Sequence, residues 1–140
     1  MKRLYIVLCL AVLLTGCGGD NTAAKPDISD TSSSKEAESV SVISAEKAKQ
    51  IMSENPKCVI LDVRTQSEFD EGHIEGAILI PYDEISDKAE DILTDKDAEI
   101  LVYCRSGRRS AVAAKTLSDL GYTDIKDFGG IIDWKYDTVK

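Results

Sequence analysis

The sequence holds a single histidine, His73. A metal cluster or a Cys/His catalytic pair would have to be assembled around that one ring, and its setting before Ile74 and Gly76-Ala77 predicts a structural hydrogen bond instead. No C-x-x-C occurs among the four cysteines, Cys9, Cys17, Cys58 and Cys104, which disfavours a thioredoxin-like dithiol exchange. No stretch is densely basic, and 25 acidic residues outweigh 17 basic ones for a net charge of -8. Non-specific nucleic-acid binding, which needs a Lys/Arg surface against the phosphates, is therefore excluded. Long apolar runs are missing as well. Leu4 to Leu14 is eleven residues, against the roughly 20 that a membrane-spanning helix requires. No internal repeat is visible, and 140 residues suffice for one core and not two.

What is present begins with an address. Met1-Lys2-Arg3, the apolar run and Thr15-Gly16-Cys17 form a positive n-region, an h-region and a small-residue break, the pattern of a secretory signal. Leu14-Thr15-Gly16-Cys17 resembles the lipobox of bacterial lipoproteins. That resemblance implies cleavage after residue 16, diacylglycerol on the Cys17 sulfur and a lipid-anchored chain on the extracytoplasmic face of the cell membrane. Gly18 is not the Asp that favours inner-membrane retention, so an outer membrane is open if the host has two. Loss of residues 1–16 removes Lys2 and Arg3 and no acid, leaving 15 basic against 25 acidic residues, a balance of -10. Residues 17–41, rich in Ser, Thr, Asp, Gly and Ala, bury too little to order themselves and read as a linker. As a flexible coil the linker reaches roughly 25 to 30 Å.

From Val42 to the C-terminus, short apolar runs alternate with helical patterns, which predicts an α/β domain with a mainly parallel central sheet and helices on both faces. Strands are expected at Val42-Ile43, Cys58 to Val63, Ala77 to Ile80, Glu99 to Tyr103 and Ile125 to Phe128. Helices are expected from Ser44 to Met52, after a Thr65/Glu68 capping box, from Ile85 to Leu93, and from Ser110 to Leu120, followed by Gly121. A short terminal helix is expected to carry Trp134. Cys58, opening a buried strand, reads as core.

The chemistry concentrates in Cys104-Arg105-Ser106-Gly107-Arg108-Arg109, between a strand and a helix. Ligands of open α/β sheets bind beyond the carboxyl ends of the strands, which is where this segment falls. Beyond residue 16 the chain has four arginines, and three stand in these six positions. Guanidinium groups and the N-terminal N–H groups of the following helix favour a thiolate, so Cys104 is expected to be nucleophilic near neutral pH. Asp62 and Arg64 share a strand face, and either a structural ion pair or an indirect role at the site fits that spacing. Gly129-Gly130 is expected to let the chain turn close to the Cys104 loop.

Leu61-Asp62-Val63-Arg64, Glu68-Phe69-Asp70-Glu71-Gly72-His73-Ile74-Glu75-Gly76-Ala77, the 104–109 loop and Phe128-Gly129-Gly130 with Trp134 together resemble a single-domain rhodanese. The resemblance covers residues 42–140 and implies a rhodanese-like sulfurtransferase in which Cys104 carries sulfur as a persulfide. It implies that Arg105, Ser106, Gly107, Arg108 and Arg109 cradle the anionic donor, supported by Asp62 and Arg64. The expected partners are thiosulfate or a related donor and a thiol or cyanide acceptor, with no metal or organic cofactor and the protein a monomer. Two alternatives remain open at this point. One is a binding or redox-sensing module. The other is a cysteine-dependent phosphatase or arsenate reductase, although phosphatases of related fold separate cysteine and arginine by five residues and here there are four.

Overall fold

The computed structural model describes residues 39–140, so the signal segment, Cys17 and most of the linker lie outside the described residues. The elements are β1 (Val40–Val42), α1 (Ala45–Glu54), β2 (Val59–Asp62), α2 (Gln66–Glu71), β3 (Ile78–Leu79), α3 (Ile85–Ile92), β4 (Glu99–Cys104), α4 (Arg108–Asp119) and β5 (Asp124–Gly130), then one 3-10 turn, Ile131–Asp133. The five strands form one sheet in the order β1-β5-β4-β2-β3, and every pairing is parallel. All carboxyl ends of the strands therefore open on one edge.

β4 shows why the sheet must be covered twice. Ile100, Val102 and Cys104 enter a core with Ile85 and Ala89 of α3 and Ala113, Ala114 and Leu117 of α4. Leu101 and Tyr103, pointing the other way, enter a second core with Ala45, Ala48 and Ile51 of α1, Phe128 and Trp134. Trp134 sits 5.8 Å from Phe128, ring centre to ring centre, which closes that face with aromatic surface.

Local signals act as expected at most helix ends. The Ser44 hydroxyl accepts from the Lys47 N–H, and Thr65 and Glu68 form the reciprocal capping box at α2. Three expectations need correction. β1 takes up Val40 and Ser41 and stops at Val42, because Ile125–Asp127 of β5 pair with Val40–Val42 and the Ile125 N–H reaches back to the Ser39 carbonyl. α4 starts two residues early, at Arg108, since Gly107 turns through φ +96° and serves as its N-cap. The terminal helix is a single 3-10 turn, and Trp134 follows it rather than riding on it.

Candidate functional site

Cys104 closes β4 with its neighbours β2 and β5 on either side, and the chain leaves the sheet there. The residue is 1% exposed. Its sulfur is surrounded by its own loop: the Gly107 N–H points at Sγ from 3.1 Å, and the Ser110 hydroxyl oxygen lies 3.7 Å away. Burial pushes the thiol up, but N–H groups of Ser110, Ser106 and Gly107 and the Ser110 hydroxyl outweigh it, so the thiol lies below its ordinary value. Those donors belong to the loop and to the first turn of α4, where backbone N–H groups have no helical partners.

Two glycines shape the chain beside the loop. Gly129 turns through φ +84° and packs at ordinary van der Waals distance against Gly107, where an added Cβ would lie 3.6 Å from the Gly129 Cα. Gly130 touches the loop more closely. A Cβ there would stand 2.4 Å from the Arg105 carbonyl oxygen and 2.7 Å from the Ser106 Cα. The expected role of Gly129-Gly130 therefore holds, for reasons of space as well as turning.

The arginines of the loop divide into two kinds. Arg105 and Arg108 are exposed, and neither makes a salt bridge among the described residues. Arg109 is turned away from solvent and gripped by Glu68, with Nη1 to Oε2 and Nη2 to Oε1 both 2.8 Å. The guanidinium beside Glu68 holds that carboxyl down to about 2. Glu68 thus takes one N–H from each outer nitrogen of Arg109, and the guanidinium also lies within reach of the Cys104 sulfur.

Asp62 and Arg64 form a buried ion pair, with Nη2 2.6 Å from Oδ2 and the Arg64 N–H 2.9 Å from Oδ1. Arg64 spends its remaining reach on the Gly72 carbonyl at 2.8 Å and on the face of Tyr103, 5.7 Å from the ring centre. No hydrogen bond of either side chain reaches residues 105–109, so their direct partner is the turn after α2 and not the cradle. His73 is structural, as its setting predicts. Nδ1 meets the Phe69 carbonyl at 3.0 Å, the ring stacks on Phe69, and its backbone pairs with Val139.

Cys58 stands at the other end of the sheet. Val59 pairs with Ile100, so Cys58 aligns with the start of β4, about five residues or roughly 16 Å from Cys104 along the strand direction. A disulfide, which needs Cα atoms within about 7 Å, cannot join them. Burial and the Glu99 carboxylate push the Cys58 thiol up, away from reactivity. Among the described residues, no group of three His, Cys, Asp or Glu side chains is arranged to hold a metal ion.

Two residues of the site escape a linear reading. Glu68 is legible as a helix cap, yet nothing local tells of a partner 41 positions away. Ser110 is wholly buried, and its hydroxyl lies 2.9 Å from the Gly107 carbonyl and 3.3 Å from that of Gly129, joining loop to β5 beside the sulfur. Its signal was its place one helical turn after a loop glycine, where a short hydroxyl folds back on the backbone.

Residues 44–137 match the family model of the Rhodanese-like domain. The chain belongs to the rhodanese family. It is 36% identical over 80 residues to the thiosulfate sulfurtransferase PspE of Escherichia coli (strain K12), spanning 57% of this chain and 77% of that one. To a sulfurtransferase of Allochromatium vinosum it is 33% identical over 96 residues, spanning 68% and 88%. Among solved structures, a rhodanese with anions from E. coli superposes with a TM-score of 0.55 at 35% identity, covering 59% of this chain and 96% of that one. A rhodanese-related protein from Thermoplasma volcanium gives 0.61 at 32% identity, covering 70% and 96%. This rhodanese thus has sulfurtransferases among its relatives and the parallel five-stranded α/β architecture of its family.

Proposed function

We propose that this rhodanese is a thiosulfate-type sulfurtransferase working through Cys104, carried outside the cytoplasm on a lipid attached at Cys17. One observation supports the chemistry above all: a depressed, almost buried thiol lies among N–H donors of its own loop, which also carries the exposed Arg105 and Arg108. A cysteine 1% exposed admits a narrow terminal atom far better than a bulky group. The sulfane sulfur of thiosulfate is such an atom, and the sulfonate behind it meets Arg105 and Arg108.

The Cys104 thiolate attacks that terminal sulfur. A new S–S bond forms, the old one breaks, and sulfite leaves with the electron pair. The persulfide anion left on Cys104 lies among the loop N–H groups, whose dipoles stabilise its charge. A thiolate acceptor then attacks the outer sulfur, forming its own persulfide and returning Cys104 as thiolate; cyanide in that role leaves as thiocyanate. This is covalent catalysis in two half-reactions.

Phosphoryl transfer on the same cysteine is disfavoured by loop length: four residues separate Cys104 from Arg109, against five in phosphatases of related fold, and Glu68 already takes one N–H from each outer nitrogen of that arginine. Incubation with thiosulfate followed by intact mass measurement is expected to add one sulfur atom, removable by cyanide. Turnover of aryl phosphate without sulfur uptake would overturn the assignment in favour of a phosphatase.

The lipid anchor rests on Leu14-Thr15-Gly16-Cys17 at the end of the apolar run. Cys17→Ala is expected to leave an unprocessed precursor or release the domain from membranes. Membrane fractionation of the variant at mature size would exclude the anchor.

A further inference from the structure

We infer that Glu68 is a positioning residue for the Cys104 loop: bound fork to fork with Arg109, its carboxylate limits how much of that guanidinium's charge reaches the sulfur and its donor. The inference rests on the reading of Cys104 as the sulfur carrier and adds a group from α2 to the machinery.

The pair differs from an ordinary surface bridge in three ways. Both side chains are only about a fifth exposed, at 20% for Arg109 and 21% for Glu68. Glu68 is already ordered by the capping box, where Oε2 accepts from the Thr65 N–H at 3.1 Å and lies 3.0 Å from the Thr65 hydroxyl. It therefore meets Arg109 with little further loss of side-chain freedom. Finally, Arg109 stands in the first turn of α4, directly after the loop, and is close enough for a Cys104 thiolate to stabilise its charge.

The other charges around Cys104 are accounted for. Arg105 and Arg108, in the loop itself, are exposed. From β2, Asp62 is bound to Arg64; from β5, Asp127 accepts the Gly129 N–H at 2.9 Å. α3 turns Ile85 and Ala89 toward the same core as Cys104 and keeps Asp87 and Lys88 exposed. Arg109 is thus the one loop cation whose charge is offset by a bound carboxylate. A fully cationic cradle would hold thiosulfate and the departing sulfite alike, and uniform tightening of that kind slows release without aiding the chemical step.

The test is the pH profile of Cys104 alkylation by iodoacetamide, which requires no sulfur donor, together with thiosulfate kinetics. Glu68→Gln keeps a side chain that fits the capping box but removes the charge. Its alkylation midpoint is expected to fall by about half a pH unit, since a like charge near the thiolate is gone while the arginine stays. KM for thiosulfate is expected to fall by about threefold and kcat to fall with it, as sulfite leaves a more positive cradle. Arg109→Gln should raise both the midpoint and KM, and the double variant, with both charges removed, should lie between the two single ones. A cap acting only on stability would lower the melting temperature and leave the midpoint in place. An unchanged or raised midpoint in Glu68→Gln, or a raised KM, overturns the inference. Should that variant fail to fold, the double variant decides against Arg109→Gln: a lower midpoint in the double supports the inference, and an equal or higher one overturns it. Absence of sulfur uptake by the wild type would instead refute the sulfurtransferase reading, with the alkylation profiles still judging the charge pairing.

Discussion

Cys104→Ser is expected to lose sulfur transfer by at least about 1000-fold, roughly 4 kcal/mol in transition-state stabilisation, while keeping its fold. A hydroxyl holds no transferable sulfur, so the covalent half-reaction has no carrier. The fold has little reason to fail. Serine is slightly smaller, and the buried hydroxyl meets the Gly107 N–H and the Ser110 hydroxyl that now face the sulfur. Cys58→Ser supplies the contrast. Cys58 lies at the far end of the sheet with its thiol pushed up by burial and Glu99, and most activity should remain after its replacement. Thiosulfate assays with circular dichroism check both variants. Equal losses in the two, at unchanged dichroism, would demand a mechanism in which both thiols take part.

Gly130→Ala is expected to reduce kcat/KM by about 100-fold, the scale on which a displacement near 1 Å acts. Gly130 has φ -121° and ψ 142°, an extended conformation open to any residue, so backbone strain contributes nothing. The whole effect is space. The new methyl would lie 2.4 Å from the Arg105 carbonyl oxygen and 2.9 Å from the Arg105 carbonyl carbon, which are backbone atoms that no rotamer change can clear. The loop must rise, and the N–H groups trained on Sγ rise with it. Gly121→Ala is the matched comparison. At φ +90°, with nothing within 4 Å of the added Cβ, it places left-handed strain at the end of α4, far from the sulfur, costing about 1 to 2 kcal/mol of stability. Gly121→Ala should therefore melt earlier and keep its kcat, whereas Gly130→Ala should lose kcat at temperatures where it is fully folded. Full activity in folded Gly130→Ala would mean that the loop needs no support from β5.

The sequence by itself determined whatever depends on neighbours along the chain. Alternation of apolar runs with helical periods made the α/β class and the two-sided sheet readable, since a central strand such as β4 had to be buried on both faces. The Thr65/Glu68 capping box, the Ser44 cap and the arginine-rich turn around Cys104 are likewise local, and their residues carry the signal within a span of three to six positions. The tertiary structure alone decided how those pieces act on each other. Because β2 and β4 are parallel neighbours, the starts of α2 and α4 emerge at one sheet edge, and a helix cap becomes the counterion of a loop arginine. Because β5 lies on the other side of β4, Gly130 meets the Arg105 backbone and Ser110 bridges the loop to Gly129. Asp62 and Arg64 could be placed on one face by their spacing, but whether they faced each other or the loop depended on the Gly72 carbonyl and the Tyr103 ring offered by distant segments. Strand order is fixed by the sum of such long-range contacts, each weak and separated by tens of residues. No short window of sequence contains it.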